Sequence, residues 1–233
     1  SGKTEVYIRV LEEVIKANKT GIVLVPEISL TPQLISRFKN KFNDIVGVIH
    51  SKLSEGERLD NFMGIREGKI KIIIGPRSAL FAALKNIGII IVDEEHEVSY
   101  KQENSPRYNA RDMAIIRAKL NNAVVVMGSA TPSVESYYNA RNGKYKLLKL
   151  TTRATDAELP YIKILDLRNP EKSDGFYNND IIEKTKIRFL SKELLYAIQK
   201  RIVKKESVIL LQNRRGYHSY IECVNCGHVE VCV

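Results

Sequence analysis

Two short clusters along this 233-residue chain have the residue types and spacing for phosphate chemistry. The first, Ser1-Gly2-Lys3-Thr4, runs directly into a stretch of helical spacing (Val6, Val10, Leu11, Val14, Ile15) and matches the second half of the pattern G-x-x-x-x-G-K-[ST]. In such a loop the backbone N–H groups and the helix N-terminus hold phosphate oxygens, the lysine reaches the β and γ phosphates, and the hydroxyl ligates Mg²⁺. Gly2, Lys3 and Thr4 are therefore candidates for nucleotide binding, with Thr4 also a magnesium ligand. Four residues of common types also arise by chance, and the earlier glycine of the pattern is not in the chain.

The second cluster is Asp93-Glu94-Glu95-His96, placed straight after the apolar run Ile87 to Val92. An acid pair and a histidine at the carboxyl end of a buried strand lie where open α/β sheets put their ligands. Asp93 can hold Mg²⁺ and Glu94 can orient or deprotonate an attacking water. A solvated loop with a helix cap is the alternative reading of the same four residues. Further on, Gly128-Ser129-Ala130-Thr131-Pro132-Ser133 follows the run Val124 to Met127 and reads as a strand, a glycine turn and a cap for a helix over Val134 to Ala140.

The elements that must position these clusters are legible as β-branched runs: Ile22 to Val25, Ile45 to Ile49, Ile70 to Ile74, Ile87 to Val92, Ala123 to Met127, Ile162 to Leu167 and Ser207 to Leu211. Nearly continuous apolar runs of this length predict strands buried on both faces, hence a parallel sheet. Helical spacing between them, as at Leu34, Ile35 and Phe38, predicts crossover helices and a doubly wound α/β fold. The pattern weakens from Thr151 and returns at Leu190 to Ile202. The expected organisation is a doubly wound α/β first lobe with the phosphate loop over 1–150, a linker over 151–188, the start of a second lobe over 189–222, and a cysteine-bearing module from 223 to 233.

Composition bounds the function classes. Thirty-seven Lys and Arg against 27 Asp and Glu leave a formal net charge of +10, which suits a polyanion partner or a solvated basic surface. No apolar run reaches the roughly 18–20 residues of a membrane span and no signal segment opens the chain, so a cytoplasmic location with no membrane association is expected. The three cysteines, Cys223, Cys226 and Cys232, are clustered and odd in number, which favours metal binding over a disulfide framework.

Ser129-Ala130-Thr131 placed after a D-E-x-H strand resembles the second helicase superfamily, where that motif links the γ-phosphate state to strand movement. Four further segments narrow the resemblance to the primosomal replication-restart helicases, the PriA family: Leu24 to Gln33, Gly75 to Phe81, Ser99 to Gln102 with Pro106 to Asp112, and Gln212 to Tyr217. The resemblance covers nearly the whole chain. It implies an ATP-dependent 3′-to-5′ DNA helicase that unwinds stalled forks with two RecA-like, P-loop NTPase lobes closing on ATP and Mg²⁺, residues 1–150 being the first lobe, with single-stranded and forked DNA, primosome proteins and single-stranded-DNA-binding proteins as partners. By position it implies that Lys3, Asp93, Glu94 and His96 form the catalytic set, His96 coupling the two substrates, and that Ser129 and Thr131 belong to the DNA-coupling residues. Gln33, the Pro26 to Thr31 loop, Arg77 and Ser78 would touch the DNA backbone. Tyr100, Lys101, Arg107 and Tyr108 would form an aromatic loop that senses single-stranded DNA, bases stacking on the tyrosines. The same stretch is compatible with a surface loop whose tyrosines pack locally.

The resemblance places a zinc module at Cys223, Cys226 and Cys232, with Zn²⁺ bound in the intact parent and the remaining ligands beyond Val233. Ala83 replaces a family proline, and the upstream glycines and later arginine motifs are not in the chain. The expectation is therefore a central piece of a longer enzyme that, alone, binds ATP poorly. A passive nucleic-acid or protein-binding module and another translocase of the same superfamily are the competing readings. A P-loop phosphotransferase would have no use for Gly128 to Thr131.

Overall fold

A computed structural model of the chain describes residues 2–151, 160–165, 191–211, 221–222 and 229–230. Two compact units result, Ser1–Glu158 and Leu159–Val233. In the first, α1 (Lys3–Lys16) leads to β1 (Thr20–Leu24), α2 (Pro32–Phe42), β2 (Val46–Val48), α3 (Glu55–Arg66), β3 (Ile72–Gly75) and β4 (Ile87–Asp93). A small antiparallel pair follows, β5 (Lys101–Gln102) with β6 (Tyr108–Asn109), then α4 (Ala110–Leu120), β7 (Val124–Gly128) and α5 (Val134–Arg141). The five larger strands form one sheet in the order β2-β3-β1-β4-β7, every pairing parallel. This is the α/β architecture expected, a parallel sheet flanked by helices as in a RecA-like lobe.

Two buried faces explain why the strands read as unbroken Val and Ile. Ile22, Leu24, Ile73, Ile90 and Val92 point to one face, where they meet Ile65 of α3 and Ala110, Ala114 and Ala118 of α4. Their neighbours Val23, Val25, Ile72, Ile74, Ile89 and Ile91 point to the other, against Tyr7, Ile8 and Leu11 of α1 and Phe38 and Phe42 of α2. Successive side chains alternate sides in a strand, so a sheet covered on both faces needs apolar residues at every position. The alanines of α4 recur once per turn, and small side chains there let the helix pack against β4.

Helix starts follow local chemistry. Thr31, Ser54, Asn109 and Ser133 each accept a backbone N–H in the first turn of α2, α3, α4 and α5, and Ser54 with Glu57 completes a reciprocal capping box. By contrast, α1 begins at Gly2 with no side-chain cap. Because all five strands are parallel, the segments that follow β1, β3, β4 and β7 emerge on one edge of the sheet. That edge carries Pro26, Arg77, Glu94 and Ser129.

In the second unit, α6 (Lys192–Val203) is capped by Ser191, and β8 (Ile221–Glu222) pairs antiparallel with β9 (Val229–Glu230). Among the described residues, two expected strands do not form. Residues 162–165 and 207–211 carry no strand structure, and Ile164, Ile209 and Leu211 are more than 90% exposed. A run of β-formers becomes a strand only where a neighbour supplies the ladder and a layer covers its face, and among the described residues neither segment has either. No helix among the described residues is long and apolar enough to cross a membrane.

Ile90 lies fully buried on the central strand β4. Ile90→Val should lower the unfolding free energy by about 1 kcal/mol and Ile90→Ala by about 2–5 kcal/mol, read from urea titrations. Equal losses below about 1 kcal/mol for both would contradict the two-faced packing of this strand.

Candidate active site

The site grows from the end of β4. Asp93 is the last residue of that strand and lies in register with Gly128 at the end of β7. The next residue, Glu94, has φ +45°, in the left-handed region that costs a residue with a Cβ about 1–3 kcal/mol. This turn carries the Glu94 carboxylate to Lys3 in the first turn of α1, Nζ to Oε1 at 2.6 Å, while the Asp93 carboxylate stands 3.7 Å from the same ammonium. Residues 91 apart in sequence thus share one charge cluster.

Tyr7, one turn along α1 from Lys3, closes the cluster from below. Its ring is buried at 4% exposure and its hydroxyl donates to Asp93 Oδ1 at 2.8 Å. Burial, then the Asp93 carboxylate, pushes the Tyr7 hydroxyl far above its usual pKa, so it remains a donor. The hydroxyl occupies the space where a side chain at position 128 would begin: a Cβ there would lie 1.7 Å from it. Gly128 is therefore required by the close approach of helix α1, beyond any need of a turn.

On the open side, His96 Nδ1 meets Ser129 Oγ at 2.8 Å and lies 3.7 Å from Glu94 Oε2, and the Ser129 hydroxyl in turn accepts the Thr131 N–H at 2.9 Å. A continuous polar path links Lys3, Glu94, His96, Ser129 and Thr131. Glu95 points elsewhere: its buried carboxylate accepts the Ser133 N–H at 2.7 Å, the Ser133 and Ser136 hydroxyls at 3.0 and 2.8 Å, and Arg111 Nη1 at 3.4 Å. Burial alone would raise the Glu95 pKa, but these donors together outweigh it and hold the carboxyl below its usual value.

Part of the remaining expected set lines a groove of about 730 Å³ beside this cluster, formed by Pro26, Arg58, Phe62, Arg77, Phe81 and Tyr108 among others, whereas Lys101 and Arg107 lie outside that lining. Ser78 also lines the groove, whereas Gln33 is exposed on α2 outside its lining. The Arg77 guanidinium donates to the carbonyls of Ser99 and Lys101 at 3.2 and 3.1 Å, tying this loop to the end of β3. Lys101 and Arg107 are exposed, and Tyr108 packs edge-on against Phe81 with ring centroids 5.2 Å apart. Tyr100 requires a correction. Its ring is 2% exposed and its hydroxyl donates to the Asp93 carbonyl at 2.6 Å, so it offers no face for a base to stack on and instead braces the acidic turn. Cys223, Cys226, Cys232 and the segment Gln212 to Tyr217 lie outside the described residues.

A family model of the DEAD/DEAH box helicases matches residues 1–140, the span that holds this whole site. The chain belongs to the DEAD/DEAH box helicase family. Over its full length it is 44% identical to the replication restart protein PriA of Bacillus subtilis, 47% identical to that of Chlamydia pneumoniae and 44% identical to that of Haemophilus influenzae. It spans 28–30% of the length of these curated relatives.

Motif reading of this helicase family member reaches Lys3, Asp93, Glu94, His96 and Ser129 but misses Tyr7, Glu95 and Arg111. Tyr7 had a usable signal, since a residue four after Lys3 in a helix lies on the same face one turn on. Arg111 and Glu95 had none, because nothing local announces a pairing across 16 residues, or the one across 38 residues to Ser133.

The Tyr7–Asp93–Gly128 contact is testable by a double-mutant cycle on thermal or urea unfolding. Tyr7→Phe should cost about 1–2 kcal/mol through the lost hydrogen bond, and Gly128→Ala more than that through the clash. Combined, they should cost clearly less than the sum, because removing the hydroxyl removes the 1.7 Å collision. Strict additivity would show that the hydroxyl does not sit against position 128.

Proposed function

We propose that this chain carries the ATP-binding lobe of a replication-restart DNA helicase, which translocates 3′ to 5′ and unwinds stalled forks at the expense of ATP. The observation that carries the reading is the meeting of Lys3 with Glu94 and Asp93 at the carboxyl edge of a parallel sheet, with His96 joined to Ser129. Its similarity over the whole chain to replication restart proteins supports the role in restart. The second unit is read as the beginning of the second lobe, and Cys223, Cys226 and Cys232 as part of a zinc module of the intact protein.

The residues fit MgATP. The carboxylate of Asp93 and the hydroxyl of Thr4 are hard oxygen donors of the kind Mg²⁺ takes, and the uncapped N–H groups at the start of α1 suit phosphate oxygens. When bound, Mg²⁺ neutralises phosphate charge and fixes the geometry of the reacting group. Lys3, here paired to Glu94, is the cation that passes to the β and γ phosphates, and its departure frees the Glu94 carboxylate to take a proton from water. His96 reports the change to Ser129 and Thr131 through its ring nitrogen.

Single-stranded DNA is assigned to the groove beside the site, with Arg77 and Ser78 at its wall, Gln33 and the Pro26 to Thr31 loop along its course, and Lys101 and Arg107 as exposed cations. Forked DNA, primosome proteins and single-stranded-DNA-binding proteins are the partners of the intact protein. A cytoplasmic location accompanies that role.

In the full-length protein, Glu94→Gln should lower DNA-stimulated ATP hydrolysis by more than about a hundredfold and leave nucleotide binding intact, because the amide keeps shape but cannot take a proton. Turnover within about tenfold of wild type, one step of about 1.4 kcal/mol, would remove Glu94 from that role. Strand displacement should occur on partial duplexes with a 3′ overhang and fail on those with a 5′ overhang. Lys101→Ala and Arg107→Ala should each reduce the slope of log affinity against log salt by about one, the mark of a lost phosphate contact. Unchanged slopes would take both residues off the DNA path.

A further inference from the structure

We infer that Glu95 is a positioning residue whose buried carboxylate joins the acidic turn, the start of α5 and the start of α4 into one unit, so that DNA contacts are felt at Glu94. The inference rests on the function proposed above. Glu94 and Glu95 are consecutive yet serve opposite sides: Glu94 faces Lys3, whereas Glu95 is 4% exposed and turned toward Ser133, Ser136 and Arg111. The left-handed backbone at Glu94 is what allows the two side chains to diverge, and it persists only if something holds both ends of the turn. Glu95 supplies that hold through its carboxylate and through its own N–H, which donates to the Gly128 carbonyl at 3.1 Å.

Helix α5 shows what is unusual in the arrangement. Ser133 is its N-cap and accepts the Ser136 N–H, as a local cap should. In a capping box the third helical residue is an acid or amide that returns to the cap's own N–H. Here that position is Ser136, and the Ser133 N–H is taken by Glu95, 38 residues earlier. Capping of the helix that follows Ser129 to Thr131 has thus been delegated to the neighbour of Glu94. Arg111 extends the junction to the first turn of α4, directly after the β5–β6 pair that carries Lys101 and Tyr108, and also bonds Ser133 Oγ at 2.9 Å. Stability alone does not call for this charge, since well-packed apolar replacements of buried ion pairs are often neutral or stabilising.

The test compares ATP hydrolysis with saturating single-stranded DNA and without DNA, in the full-length protein. Glu95→Gln keeps the volume but offers an amide donor to groups that are themselves donors. Its ratio of stimulated to unstimulated kcat should fall about tenfold, with KM for ATP changed by no more than about threefold. A second variant, Glu95→Ala/Ser136→Glu, rebuilds the cap locally in the space vacated by Glu95. It should recover thermal stability but not the ratio, and it serves the same comparison if Glu95→Gln does not fold. A ratio that stays at the wild-type value, or that returns together with stability in the double variant, reduces Glu95 to a structural cap and overturns the inference. Wild-type protein whose hydrolysis is not stimulated by DNA overturns the proposed function and this inference with it, whereas a stimulated wild type with an unchanged variant ratio overturns only the role of Glu95.

Discussion

Everything at the site depends on how closely α1 can approach the ends of β4 and β7. The approach is set by one contact, the Tyr7 hydroxyl wedged between the Asp93 carboxylate and the bare backbone of Gly128. A helix packed on a sheet is normally held off by side chains, and here the absence of a single Cβ lets the helix come in far enough for Lys3 to reach the acids. Parallel register does the rest, since Asp93 and Gly128 are paired and so cannot slide apart without breaking the ladder on which both faces of the core are built.

With that approach fixed, each of the consecutive acids must be given partners that offset their mutual repulsion. Asp93 ends the strand and is satisfied by Tyr7, Glu94 turns through a left-handed conformation to Lys3, and Glu95 is carried under α5 to Arg111 and the serines. Asp93 and Glu94 thereby share the neighbourhood of Lys3, while Glu95 is given a separate set of donors. The cost of the strained turn is local, and the hydrogen bonds that offset it come from distant parts of the chain.

Much of this architecture could be read in the sequence because the physics that shapes it is local or periodic. Strands buried on both faces leave unbroken Val and Ile runs, and α1 shows its core stripe at Leu11 one turn after Tyr7. Other features were hidden. Helix α3 announces itself only by the Ser54 and Glu57 capping pair, since much of its apolar surface, including Leu59 and Phe62, is exposed. The runs at Ile162 and Ser207 have strand composition and no ladder, a reminder that β-propensity describes a fit to neighbours. Tyr100 looks in sequence like its neighbour Tyr108, two aromatics among cations. Only the fold separates the one that is sealed against Asp93 from the one that is half-buried and packs edge-on against Phe81.

That separation bears on how DNA in the proposed groove would be felt at the charge cluster. Tyr100 is among the residues that line the groove, and its hydroxyl holds the Asp93 carbonyl, so the same residue borders both. Arg77 reaches from the end of β3 to the carbonyls of the residues before and after Tyr100, which ties down the backbone that carries the ring. If single-stranded DNA lies in the groove as proposed, a phosphate that drew the Arg77 guanidinium away from Ser99 and Lys101 would loosen the segment that keeps Tyr100 seated. The consequence would reach the acidic turn through one hydrogen bond, with no base needing to stack on the tyrosine. Coupling of this kind depends on competition for one guanidinium: the carbonyls of Ser99 and Lys101 are neutral acceptors, and a phosphate is a charged one that forms roughly twice as strong a hydrogen bond.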